Sequence, residues 1–354
     1  MKTTYTLLLA IFFAISSCAF AGIKTVSNNP SSPGQYTNLQ TAIDAAGLGD
    51  TLMIAGSTTN YGTVNIAKPL VLVGAGYNNP YGSNTSITTI NLNRTSQFLG
   101  ASGTKIMGVI VTSVISFNGN YTGGTGSNAN INNVLVERCK INDLRFGYDG
   151  LYYQNDTVRN CLFQGGSIYF YYNYTYNNIF IHNNIFDNSV IGTNYGPPNL
   201  SNVFFRNNLI INRVTAFFSA IAYLIIENNI FYGAEPTGCT NASFTKNITY
   251  LCAAVPGAGN LGSGNLNATN PMFVNYPPSG GAFSYTYDFH LQGASPGKNA
   301  GTDGTDIGIY GGMLPYDVGA NPHFPQMMEL TLPSGSSVPA GGTLNVHFKA
   351  KKQN

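Results

Sequence analysis

The sequence predicts an all-β fold, a right-handed parallel β-helix whose stacked coils are roughly 22 residues long. Three observations carry this. A six-residue phrase recurs between residues 133 and 249, asparagine returns at fixed places in each copy, and the polar load rests on Asn, Thr, Ser and Gly rather than on charge. Charged residues make up 8% of the 354, against ~25% in ordinary soluble domains. Low charge with 41 Gly would suit a disordered chain, but 23 Tyr and 21 Phe would not. A net charge of +2 gives no field for nucleic acid or an anionic membrane, and the one basic cluster is Lys349, Lys351 and Lys352.

The phrase reads apolar, polar, polar, Asn or Cys, variable, apolar. Ile181-His182-Asn183-Asn184-Ile185-Phe186 is one copy, and others start at Val136, Val158, Phe205, Ile226 and, more weakly, Phe244. The fourth positions, at 139, 161, 184, 208, 229 and 247, lie 22, 23, 24, 21 and 18 residues apart. Coils that keep their strands and vary their loops drift in this way. The fourth position is expected to be a buried ladder, with Asn184, Asn208, Asn229 and Asn247 bonded from coil to coil at ~4.8 Å. An unpaired buried amide costs ~1–3 kcal/mol, and a ladder removes that cost. Cys139 and Cys161 fall on the same ladder and are expected as stacked free thiols. Six residues earlier in each copy stand Asn133, Asn155, Asn178, Asn202, Tyr223 and Asn241, expected as a second amide ladder. Cys239 and Cys252 lie off both ladders, either bridged or free.

In chain order, residues 1–21 read as a targeting segment. Lys2 supplies the positive start, residues 7–15 the apolar stretch, and Ala19-Phe20-Ala21 the cleavage site, so the mature chain is expected to begin at Gly22. Ile15-Ser16-Ser17-Cys18 gives a competing lipobox reading, with Cys18 lipidated at the cell surface. Both readings imply export. No later stretch reaches the ~18 apolar residues of a transmembrane span. Leu39, Ala42, Ile43 and Ala46 fall at helical spacing, with Gly47 placed to stop the helix, which predicts an N-terminal cap. The β-helix is assigned to residues 22–313, with side loops at 118–130 and 196–198. Residues 314–354 read as a short C-terminal β-hairpin tail, in which 328–332 and 344–348 alternate around a turn at 339–342.

Thr37-Asn38-Leu39-Gln40-Thr41-Ala42-Ile43, Gly49-Asp50-Thr51-Leu52 and Leu70-Val71-Leu72-Val73-Gly74 resemble the opening of the pectate-lyase-like β-helix superfamily. In that family a helix of this kind caps the first coil. Asn270-Pro271-Met272-Phe273, Asp288-Phe289-His290-Leu291, Ser295-Pro296 and Asp306-Ile307-Gly308-Ile309-Tyr310 are similar to exported β-helix proteins of Bacteroidetes. The resemblance spans residues 24–313 and implies a fold. It implies no single reaction, because the same coil serves lyases, hydrolases, epimerases and inert stalks. Pectate lyases hold calcium with several aspartates on neighbouring coils. No such cluster is present here, which counts against that enzyme.

Chemistry has few places to sit. Two residues before each ladder position, pointing outward, come Glu137, Arg159, His182, Arg206, Glu227 and Thr245. Arg159, His182, Arg206 and Glu227 are the candidate catalytic residues: the bases would bind an acidic sugar and one group would take a proton. The competing reading is a solvated stripe in which the glutamates offset the bases. A second outward column, Leu135, Thr157, Phe180, Phe204, Ile225 and Ser243, is largely apolar. Tyr152, Tyr153, Tyr169 and Tyr171 are the candidate sugar-stacking residues, although strand alternation should turn half of them inward. Asp143, Asp149, Asp156 and Asp187 are the only acids for a two-carboxylate glycosidase, and their spacing fixes no pair. Asp288 with His290, and Asp303 with Asp306, are read as turn-fixing. No zinc, phosphate-loop, nucleophile or dinucleotide motif is present, so no metal or cofactor is expected. The reading is an exported, monomeric β-helix protein that binds polysaccharide or serves as a structural module. A polysaccharide lyase or glycoside hydrolase acting on an acidic glycan is the alternative.

Overall fold

A computed structural model describes residues 21–79, 82–93, 100–117, 131–147, 152–171, 174–194 and 198–317, and in the tail 326–331, 342–343 and 346–351. Residues 1–20 of the targeting segment, the 118–130 loop and most of the 196–198 loop lie outside the described residues, as does Asp149.

The repeat phrase builds one corner of each coil. Its opening residues end strands of a first sheet, such as Leu135–Glu137, Thr157–Arg159 and Ile225–Glu227. Its closing residues start strands of a second, such as Leu162–Tyr171, Ile185–Asp187 and Leu209–Arg213. Among the described residues the sheets hold 12 and 11 strands, every pair within them parallel and each coil stacked on the next. The fold is therefore an all-β parallel solenoid. Apolar β-branched and aromatic residues at alternate strand positions fill its interior, as in the buried column Val136, Val158, Ile181, Phe205, Ile226 and Phe244. The bend between sheets falls at the third residue of the phrase. Asn160, Asn183, Asn207 and Asn228 there adopt φ of 54°, 54°, 51° and 57°, a left-handed conformation that Asn tolerates better than most residues.

The fourth-position ladder is present, and its central amides are fully bonded. Asn208 Oδ1 accepts the Asn184 backbone N–H and the Asn184 Nδ2, both at 3.0 Å. Asn208 Nδ2 donates to Ile181 O and to Asn229 Oδ1, each at 3.0 Å. Every hydrogen-bonding capacity of that amide is used. The ladder continues through Asn247 to Asn265, one coil further than the phrase predicts. Gly262 there replaces the apolar first residue, which hides the copy from a sequence search. At the other end Cys161 offers only its backbone N–H to Asn184, at 2.9 Å. Cys139, Cys161, Cys239 and Cys252 are all free thiols, so the last two form no bridge.

The second predicted ladder is corrected in part: one coil-to-coil amide bond is present, Asn178 Nδ2 to Asn155 Oδ1 at 3.3 Å, but the column is not interior. Asn133, Asn155, Asn202 and Asn241 are exposed, and Asn178 is half-buried. All five have φ between 51° and 59°, and Tyr223 in the same column has 62°. Asparagine recurs there because a second tight turn demands a left-handed residue, not because amides must stack in the interior.

The variable fifth position hides another regularity. Leu162, Ile185, Leu209, Ile230 and Ile248 face outward yet are buried, packed with Phe289, Leu291, Ile307 and Ile309. The C-terminal segment covers them. It descends the stack as a strap, held by the third-position column of the phrase. Asn228 bonds Thr302, Asn207 Nδ2 reaches Gly308 O at 3.3 Å, and Asn183 Nδ2 reaches both Ile309 O and Gly311 O at 2.8 Å. Arg138 then pairs with Asp317 at 2.7 Å, and the Tyr316 hydroxyl bonds that of Tyr77.

At the N-terminal end the helix Leu39–Ala45 closes the first coil with buried Leu39, Ala42 and Ile43. Asn38 caps it by accepting the Thr41 N–H, and Lys68 Nζ bonds the Asp44 and Ala46 carbonyls at its end. The helix stops with Ala46 extended, so the left-handed stop expected at Gly47 is absent. In the tail, Gln326–Thr331 pairs antiparallel with His347–Lys351. No helix among the described residues is long and apolar enough to cross a membrane.

Candidate functional site

The charged column is set by strand register. Pairing puts Glu137 beside Arg159, Arg159 beside His182, His182 beside Arg206 and Arg206 beside Glu227. The column read from the repeat is thus the column in the structure. Its charges are spent on each other: Arg159 Nη2 lies 3.0 Å from Glu137 Oε2, and Arg206 Nε lies 2.7 Å from Glu227 Oε2. Arg206 also lies over the Phe204 ring, 4.1 Å from its centroid, and Phe204 stacks on Phe180 at 5.0 Å. Such a half-exposed cation–π contact contributes about 0.5–1 kcal/mol and holds the guanidinium along the sheet.

His182 sits between the two arginines. Its Nδ1 lies 2.8 Å from Asn183 Oδ1. The Asn183 amide is oriented by its two bonds to the strap, so Nδ1 carries the proton and Nε2 is the basic nitrogen. Burial holds the imidazole below the usual histidine range; the Asn183 bond opposes this and nearby Arg159 reinforces it. At neutral pH the column is two compensated ion pairs around an uncharged ring. The three bases form no common cationic centre.

The aspartates are equally committed. Asp143 pairs with Arg145 at 2.8 Å and accepts the Ser167 N–H. Asp187 accepts from Gln164 at 3.1 Å, Asn212 at 3.0 Å and the Phe283 N–H at 3.1 Å. Asp156 is inside the stack. Asp303 bonds Thr305, and Asp306 accepts the Asn299 N–H, both closing turns. Asp288 bonds His290 Nδ1 at 2.6 Å, and the His290 ring lies flat on Tyr310 at 3.6 Å between centroids. Among the described residues no three His, Cys, Asp or Glu side chains are grouped to hold a metal ion.

The tyrosines divide by strand alternation. Tyr153 is 0% exposed and stacks on Tyr176 at 5.2 Å, and Tyr171 is also buried. Neither ring lies on a surface that a sugar can reach. Tyr152 is 54% exposed, and half-buried Tyr169 lies 5.9 Å from the Arg145 guanidinium. Sequence reasoning missed the uncharged surface beside the charged column. There, one residue before the exposed turn asparagines, stand Asn132, Gln154, Asn177, Ser201 and Thr240, all exposed or half-exposed. The signal was in the repeat, as a run of polar, chargeless residues broken once, at Ala222.

Fold and face together define a parallel β-solenoid with an uncharged polar panel flanking a self-neutralised charged column. No protein-family model matches the chain, and no curated protein does. Among solved structures it is similar to a variant of AlyGC, an alginate lyase of the PL6 family, at 11% identity and a TM-score of 0.27, covering 82% of this chain. The chain spans 59% of that lyase's length. A pectin methylesterase from Aspergillus niger is similar at 16% identity and a TM-score of 0.24, over 70% of this chain and 87% of that one. Likeness at this level carries no argument about activity.

Proposed function

We propose that this chain is an exported β-solenoid that binds carbohydrate on its outer surface and does not turn it over. One observation carries the non-catalytic half: both arginines of the charged column are neutralised by glutamates of the same column. A lyase needs cations free to meet the substrate carboxylate and a base beside them. The commitment of Asp143 and Asp187 to structural donors, and the burial of Asp156, support the same reading against a two-carboxylate hydrolase. The carbohydrate half is supported by exposed Tyr152 and by the amide and hydroxyl surface next to it.

A second reading has its own observation. Arg159, His182 and Arg206 occupy three consecutive coils, and Nε2 of His182 is a neutral base. In that reading the chain is a lyase or hydrolase of an acidic glycan, with Glu227 assisting. A glycan array coupled to a degradation screen separates the two. The expected result is binding without product. Release of unsaturated oligosaccharides, abolished by Arg206→Ala, would overturn the proposal.

A further inference from the structure

We infer that the glycan lies on the uncharged panel and not on the charged column, and that it is a neutral polysaccharide chain. The inference rests on the carbohydrate-binding reading above and adds the site and the class of ligand.

Four columns run side by side along the stack between residues 132 and 243, and none contains a charged residue. The first holds Tyr152, Thr175 and Asn199, aligned by strand pairing. The second is Asn132, Gln154, Asn177, Ser201 and Thr240, interrupted by Ala222. The third is the column of turn asparagines. The fourth carries the half-buried Thr157, Phe180 and Phe204. Turn geometry explains why the third column is Asn, so it is no argument for a ligand. It does not explain the second column, whose residues need no left-handed backbone and yet are polar and chargeless in five coils.

The panel is built and partly self-ordered. Gln154 N–H donates to Asn132 Oδ1 at 3.0 Å, Asn178 Nδ2 to Asn155 Oδ1 at 3.3 Å, and Asn202 Nδ2 to Asn177 Oδ1 at 3.3 Å. Side chains already held along the stack lose little freedom when a ligand settles on them. Each amide still has donor and acceptor capacity to offer, which suits sugar hydroxyls that themselves both donate and accept. The half-buried edges of Phe180 and Phe204, whose rings stack on each other with Arg206 over Phe204, border the amides with apolar surface for sugar C–H groups. Six coils, rising ~4.8 Å each, give a track of ~24 Å, enough for an oligosaccharide of several units.

Charge selects the class of chain. A polyuronate laid on this panel would give up the hydration of its carboxylates and meet no cation in exchange. The cations of the neighbouring column are paired with Glu137 and Glu227. A neutral chain gives up nothing of that kind.

The test is calorimetric titration of the intact protein with cellohexaose, mannohexaose and xylohexaose, and separately with hexagalacturonate. At least one neutral hexasaccharide should bind, with affinity unchanged between low and high salt. The double variant Asn177→Asp/Ser201→Asp changes two outward side chains and should weaken that binding at least ten-fold while circular dichroism is unchanged. Unchanged binding by this variant would remove the panel as the site. Binding of hexagalacturonate alone, weakened by salt and by Arg206→Ala, would overturn the inference and leave the carbohydrate-binding reading standing. Binding of none of the four sugars would end both.

Discussion

Asp156 is a carboxyl group in an asparagine's place. It lies on the inward column Val134, Asp156, Ile179, Val203, Leu224, Ala242 and Asn260, fixed by strand register. Asp156 Oδ1 accepts the Val134 N–H at 2.8 Å, as Asn260 Oδ1 accepts the Ala242 N–H at 2.9 Å. The Asn260 amide then donates to Cys239 O at 3.2 Å, whereas Asp156 Oδ2 is buried with no partner. Burial pushes the Asp156 carboxyl well above the usual range, against the Val134 bond. Its contribution to stability is therefore greatest below the unfolded value of about 3.9 and is lost as pH rises toward the raised folded value. Asp156→Asn supplies the same acceptor without the proton. The variant should be more stable than the parent at neutral pH, with the difference shrinking toward pH 4 in parallel urea titrations. An equal difference at every pH would show that titration of Asp156 is not the cause.

The element that matters most is the asparagine ladder. Replacing Asn208 with Leu removes four bonds and leaves the Asn184 N–H, Asn184 Nδ2, Ile181 O and Asn229 Oδ1 short of partners. Destabilisation of roughly 3–5 kcal/mol is expected in denaturant unfolding. Cys161→Asn should do the reverse or be neutral, because Asn184 Oδ1 already accepts the Cys161 N–H and has room for an amide. A marked loss of stability in that variant would mean that the thiol is required by packing. This ladder was legible in sequence because its phrase recurs with apolar anchors on both sides, and the charged column followed from the same alignment. The turn asparagines were not separable from ladder asparagines. One letter serves two needs, amide pairing in the interior and left-handed backbone at a bend, and only burial tells them apart. The ion pairs within the charged column could be inferred from its signs but not its geometry. The strap was illegible, since its partners lie up to 239 residues away and several of its bonds go to backbone carbonyls of Gly and Ile residues.

At the scale of the molecule, the strap closes a second apolar core outside the first. Deleting residues 298–354 would remove Ile307, Ile309 and Tyr316 from this core and uncover Ile185, Leu209 and Ile230 along one corner of the stack. The truncated chain should bind a hydrophobic dye that the parent does not, and should melt at lower temperature in calorimetry. A truncated chain with the parent's melting temperature would reduce the strap to decoration.

The strap also changes what kind of object the solenoid is. A plain stack is held by nearest neighbours, so coils can fray from either end while the rest stands. Here a single covalent segment is fastened to the coils at Asn228, Asn207, Asn183, Asn160 and Arg138. Opening any one of them loosens a segment that the others also hold. Nearest-neighbour stacking becomes long-range coupling, and the strapped coils should unfold in one step rather than by unzipping. The segment that imposes this all-or-none behaviour follows every coil it fastens in the chain, so coupling among them waits until they are already stacked.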